Sequence, residues 1–239
     1  DIHFNTEIKK NGVWRQNTDA VFPNPDYELN GKYDWQKEKF TNTPPNGRRY
    51  DWFSVLANVR NGTGFAGHKT GSGFSVIANP RDVPADATKE WKEYVEKWGY
   101  DLHSVSYLSI NDFDNFDWNQ ITMKSGVITL EQYTKLKENA DSPESWCGYS
   151  SGPKIIIVSM KDADKIIKGE IKELTYTNKY RPEDDPVTMP IDYWDISVEY
   201  EWPVVYSEWF CDSIKNTVEP LRKLSEKHED ARIMFGFDN

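Results

Sequence analysis

Residues 2–9 alternate apolar and polar side chains and then meet Lys10, Asn11, Gly12 and Val13. Asn-Gly is the preferred central pair of a type I′ turn, so the pattern predicts a β-hairpin over 2–15. Residues 23–47 lose the periodicity, are polar and carry Pro25, Pro44 and Pro45, which predicts a long surface excursion. Apolar positions 52, 53, 55, 56 and 59 then recur at helical spacing, with Arg60 and Asn61 leading into Gly62 as the expected stop. A helix is predicted over 86–98, where Trp91, Tyr94, Val95 and Trp98 share one face between Pro84 and Gly99. Thr129 and Gln132 have capping-box spacing and predict a helix over 129–139. Residues 154–160 read as a buried strand, and 161–168 as a short helix stopped by Gly169. Alternation predicts strands over 171–178 and 191–201, joined by a loop with Pro182, Asp184, Asp185 and Pro186. A helix over 205–228 is expected to kink or split at Pro220, and 232–237 reads as a final strand.

Strands at both ends with helices between them predict an α+β fold. The expected form is a single domain whose mixed, mostly antiparallel sheet joins the N- and C-terminal strands and is flanked by helices. No run approaches the roughly 18 apolar residues of a membrane span, and no apolar signal segment opens the sequence. A cytoplasmic protein without a membrane partner is therefore expected. Cys147 and Cys211 are too few for a disulfide framework or a cysteine zinc site, and read as reduced packing residues. Ten Trp and thirteen Tyr exceed what a modest core needs, which leaves rings for stacking on a base or sugar.

Charge changes the picture more. The chain carries net charge −10, yet between 45 and 81 five cations (Arg48, Arg49, Arg60, Lys69, Arg81) face one anion, Asp51. Five glycines lie between 62 and 73 in the same stretch. Arginine forks beside bare backbone amides hold phosphate or carboxylate oxygens, so the segment points to a pocket for a small anion. A nucleic-acid groove normally needs a basic stripe on a basic domain, and no nucleic-acid partner is expected.

The run from Gly62 to Gly67 matches G-x-G-x-x-G, and Lys69 nearly completes a P-loop. Both motifs need a helix next, whereas Gly71, Ser72 and Gly73 follow, so a mobile loop or an anion-contacting flap carrying His68 and Lys69 is the better reading. His103, with Ser104 and Ser106 beside it, could serve as a phosphate ligand or a general base. Residues 111–117 resemble a calcium loop but lack its glycine, and the four histidines have no metal-ligand spacing. That acidic cluster reads as a solvated helix edge, and no metal or cofactor is expected.

Several segments together resemble a family of tailed-bacteriophage proteins without an assigned activity. They are the Asp1-Ile2-His3 opening, Gly47-Arg48-x-Tyr50-x-x-Phe53 running into Val59-Arg60-Asn61, and Pro80-Arg81. His103-Ser104-x-Ser106-Tyr107-Leu108, Phe116-Asp117-Trp118 and the ending Arg232-Ile233-x-Phe235-x-Phe237-Asp238-Asn239 complete the likeness. The glycine-rich insert 62–73 departs from it. The resemblance implies a product acting inside an infected bacterial cell.

The sequence thus points to a phage counter-defence protein that sequesters a small anionic nucleotide-type immune signal. Arg48, Arg60 and Arg81 would clamp phosphates, with Asn61 at the turn beside them. His103, Ser104 and Ser106 would bond a ribose or phosphate, and Tyr50 or Tyr107 would stack on the base. An enzyme cleaving or transferring such a nucleotide, with His103 as acid or base, is the alternative. A third reading is an acidic inhibitor of a host nuclease acting through 112–117 and 183–185. A homo-oligomer is compatible with all three.

Overall fold

This computed structural model describes residues 1–64, 67–177 and 185–238. They form two compact units: one of Asp1–Asn61, Phe74–Gln120 and Val205–Asn239, the other of Gly62–Gly73 and Ile121–Val204. The fold is α+β, and an antiparallel sheet joins the two ends of the chain.

The first unit is built on a four-stranded sheet. Strands β1 (Ile2–Lys10) and β2 (Val13–Gln16) form the expected hairpin, with Asn11 and Gly12 both at positive φ, as a type I′ turn demands. After a two-residue ladder of β3 (Phe22–Pro23) and β4 (Phe40–Thr41) around the short α1 (Asp34–Lys37), helix α2 (Tyr50–Ala57) follows. It stops earlier than the sequence suggested, because Asn58 takes the left-handed cap and returns its N–H to Phe53 and Ser54. Helix α3 (Lys89–Trp98) starts at Thr88, whose hydroxyl caps the Trp91 N–H. Strand β5 (Leu102–Ser109), which the sequence pattern does not reveal, then leads into α4 (Ile110–Asp114).

The C-terminal segment 206–227 is split rather than continuous: α7 (Tyr206–Trp209), α8 (Cys211–Ser213), a π turn over Ile214–Val218, then α9 (Glu219–Lys227). Pro220 has no N–H and its ring crowds the carbonyl four residues back, so a widened turn just before it relieves that clash. The last strand, β11 (Asp230–Asp238), lies between β1 and β5, antiparallel to both. Its residues 231–237 are all buried, as a central strand covered on both faces requires.

The second unit holds β6 (Ile121–Thr129), α5 (Leu130–Leu136), β7 (Ile155–Ser159), α6 (Met160–Ile167), β8 (Glu173–Tyr176), β9 (Val187–Pro190) and β10 (Asp195–Val205). Its sheet runs β6-β10-β7, with β7 parallel to β10, and β8 pairs separately with β9. The capping box at Thr129 and Gln132 is formed as expected. Strand β7 is an edge strand with only alternate residues buried, not the fully buried strand its composition suggested. Strand β6 has no clear sequence signature because it buries polar Thr122, Lys124 and Ser125, which hides the alternation. Residues 178–184, including Pro182 and Asp184 of the expected loop, lie outside the described residues.

Candidate functional site

The proposed ligand residues separate into two groups along the central strand. At the end where β1 begins and β11 finishes, His103 lies opposite Phe237 and His3 opposite Gly236. A register shift between Phe235 and Phe237 bulges this part of the ladder, and Ser104 takes φ +50° there. The Ser104 hydroxyl lies 3.1 Å from His103 Nδ1. Arg60 is also held at positive φ (+52°), and its guanidinium lies 4.5 Å over the Tyr50 ring at the start of α2. Non-glycine residues adopt this conformation at a cost, and such strain gathers at functional positions. Arg48 completes the group by donating Nε–H to the Asp1 carboxylate.

Burial pushes the His103 imidazole down from its ordinary value; the terminal amine and Arg60 push the same way, and Asp238 opposes them. His3 sits alongside, with Nδ1 2.7 Å from the Tyr94 hydroxyl and Nε2 3.2 Å from the Asp238 carboxylate. The end of the sheet therefore carries Arg60, His103, Asp238 and His3, with Asp1 and Arg48 at its margin.

Arg81, Ser106 and Tyr107 stand elsewhere. On β11, Ser106 lies opposite Phe235 and Tyr107 opposite Met234, while the Arg81 side chain reaches on to Asp112 beyond Ser109, which faces Arg232. Arg81 donates twice to Asp112, at 3.0 and 2.5 Å, and its guanidinium lies over Tyr107. The buried Ser106 hydroxyl accepts the Arg81 backbone N–H. Asn61 holds a loop instead of facing a ligand. Its side chain donates to the Phe74 carbonyl and accepts from the Phe74 N–H, closing the point where residues 62–73 depart.

Residues 70–72 of that glycine-rich segment are docked on β6. Ser72 N–H bonds Met123 O, Ser125 N–H bonds Thr70 O, and Gly71 bridges Lys124 on β6. Only glycine fits at 71, since a Cβ there would collide with the Met123 carbonyl oxygen. Lys69 already pairs with Glu201 at 2.9 Å, and His68 stacks on Tyr149. The acidic cluster is also not a simple solvated edge: Asp112 holds Arg81, and Asp114 holds Arg222. Both cysteines are exposed and neither is in a disulfide, and the Cys147 thiol donates to the Val127 carbonyl, which corrects their reading as packing residues.

Sequence reasoning missed a cavity of about 360 Å³ in the first unit. Its walls bring together His3, Asn5, Gln16, Asn46, Trp91 and Tyr94 from the two hairpin strands, the polar excursion and α3. Gln16 donates to the Asn5 side-chain oxygen, which leaves Asn5 Nδ2 and Trp91 Nε1 as buried donors with no acceptor among the described residues. A carboxamide on β1 two positions from His3 was the legible signal, because strand periodicity puts both side chains on one face. His3, which lines the cavity, also reaches the Asp238 carboxylate, so the cavity touches the charged end of the sheet there.

Among the described residues, no three His, Cys, Asp or Glu side chains gather where they could hold a metal ion, and no helix is long and apolar enough to cross a membrane. No protein-family model, curated protein or solved structure matches the chain.

Proposed function

We propose that the protein binds a small nucleotide-type anion at the His3–His103 end of the first unit's sheet and holds it without turning it over. The observation that carries this reading is the cavity of about 360 Å³, lined by carboxamides, the His3 imidazole, aromatic rings and Glu90, in the unit whose sheet carries Arg48, Arg60 and His103 at its His3 end. A cavity of this size suits a base or a sugar, with directional polar groups fixing its orientation. The cations alongside suit a phosphate. Arg48 would exchange the Asp1 carboxylate for a ligand oxygen, while Tyr50 keeps the Arg60 guanidinium in place. Arg81, Ser106, Tyr107 and Asn61 have structural roles in this reading. The setting is infection, by the resemblance to tailed-phage proteins, with the ligand a nucleotide-type signal of host immunity.

Isothermal titration against cyclic nucleotides, dinucleotides and ADP-ribose derivatives tests the proposal. Saturable binding to one class, weakened at least tenfold by Arg60→Gln, is expected; no heat with any of them would reject it. The contact of His103 Nδ1 with the Ser104 hydroxyl favours the enzyme reading as the second choice. Chromatography after denaturation separates the two: a binder returns the ligand intact, an enzyme returns products.

A further inference from the structure

The second unit contains a cavity of about 410 Å³ whose two long walls are strand edges. One wall is all of β7 and the other is residues 174–177, which include most of β8. Among the described residues, strand β7 pairs with β10 alone and β8 with β9 alone, so each presents its other edge here.

Register shows which backbone groups those edges carry. Asp195 N–H donates to Lys154 O, and Asp195 lies opposite Ile155 in a parallel ladder. In that pattern Ile156 and Val158 bond β10 through both N–H and C=O, while Ile155, Ile157 and Ser159 point the other way. Ile155 N–H is taken by Gly152 O. The Ile155 carbonyl, both groups of Ile157 and the Ser159 N–H therefore face the cavity. On β8, Ile191 N–H donates to Lys172 O, which makes Lys172, Leu174 and Tyr176 the residues bonded to β9. Thr175 consequently turns both its N–H and its C=O to the free edge. Two edges that face one cavity, unpaired among the described residues, are matched by an occupant that alternates donors and acceptors along both of its sides, as an extended main chain does.

We propose that this slot takes an extended, basic peptide segment of a partner protein, inserted as a strand between β7 and β8. Its core length is set by the five residues of β7. Its charge follows from the walls, where Asp162, the only charged side chain among the described residues lining the cavity, would share its carboxylate between Lys165, 3.4 Å away, and the incoming segment. The net charge of −10 on the whole chain points the same way and disfavours a second copy in the slot. Affinity comes from main-chain hydrogen bonds, and the Ser and Thr side chains around the slot accept small or β-branched residues.

The decisive experiment uses the intact protein and the peptide acetyl-KVTVTVK-amide, with acetyl-EVTVTVE-amide as control. Titration should show the basic peptide binding at least tenfold tighter than the acidic one. Hydrogen exchange at the Ile157 and Thr175 amides should slow at least tenfold on its addition. Ile157→Pro and, separately, Thr175→Pro each remove an N–H that faces the slot and leave the existing ladders whole, so each should lose binding at least tenfold. If one proline variant does not fold, the other and the exchange data on the unaltered protein decide. Unchanged exchange at both amides overturns the proposal, as does equal binding of the acidic peptide. Protection of those amides through self-association of the protein alone also overturns it, in favour of a second copy.

Discussion

Glu7 and Arg232 lie directly opposite each other on β1 and β11, joined at 2.8 Å through Nε and both almost wholly buried. Glu7 also accepts from the Thr88 N–H and hydroxyl at the start of α3, and Arg232 reaches Asp86 at 2.9 Å while lying 3.9 Å over the Trp14 ring. This pair fastens the helix, the hairpin and the central strand together. Removing one partner strands the other charge in the core. Arg232→Met should therefore destabilise the protein by about 3–5 kcal/mol, and adding Glu7→Leu should recover part of that loss, the Thr88 N–H and hydroxyl then lacking their acceptor. Urea unfolding of the single and double variants measures both.

Burial alone would raise the Asp112 carboxyl, but the bonds from Arg81 and Ser109 outweigh it and hold it below its ordinary value. A depressed carboxyl stabilises the fold above its unfolded pKa, and that contribution disappears as pH falls through the folded pKa. Asp112→Asn is expected to cost about 2 kcal/mol at pH 7 and to flatten the stability curve below about pH 4, the ordinary carboxylate range. Unfolding midpoints between about pH 2 and 7 provide the comparison.

His103 is pushed the other way, down by burial, so it stays neutral in the folded protein where the unfolded chain would protonate it. Stability should accordingly decline as pH drops through about 6.5, the unperturbed histidine value. A bound anion would draw a proton onto the ring. Ligand affinity should then strengthen with acidity across that range, and His103→Gln should abolish the trend while leaving binding at pH 8 within about threefold of the unaltered protein. Titration calorimetry in buffers of different ionisation heat detects the proton uptake.

In the second unit, burial and then the hydrogen bond to Asp164 raise the Tyr133 phenol to about 12. Its folded state holds the proton longer, so this contribution to stability is lost as pH rises above the unfolded tyrosine value of about 10. Ultraviolet titration should lose a component near pH 12 in Tyr133→Phe, at a stability cost of about 1 kcal/mol.

The Asn11-Gly12 turn makes a smaller prediction. Gly12 has φ +75° with nothing near its missing Cβ, so Gly12→Ala meets backbone strain without a clash. A loss of about 1 kcal/mol is expected from thermal unfolding.

Local rules carried far along this chain because they depend on neighbours in sequence. The Asn11-Gly12 turn, the Thr129 capping box, the break ahead of Pro220 and the two terminal strands are all set by backbone preferences of a few adjacent residues. The candidate residues were legible as chemical types, and Arg48, Tyr50, Arg60, His103 and Ser104 do gather at one end of a sheet. Which cations find a carboxylate depended on strand register and on where the loops land, and neither has a local signature. Thus Arg81 meets Asp112 and Lys69 meets Glu201, 132 positions away, while Glu7 meets Arg232 across 225. The sequence by itself determined the elements and the charge reversal. Only tertiary structure decided that β11 enters between β1 and β5, that a cavity opens beside His3, and that β7 and β8 present unpaired edges, because each requires contacts between segments the chain keeps far apart.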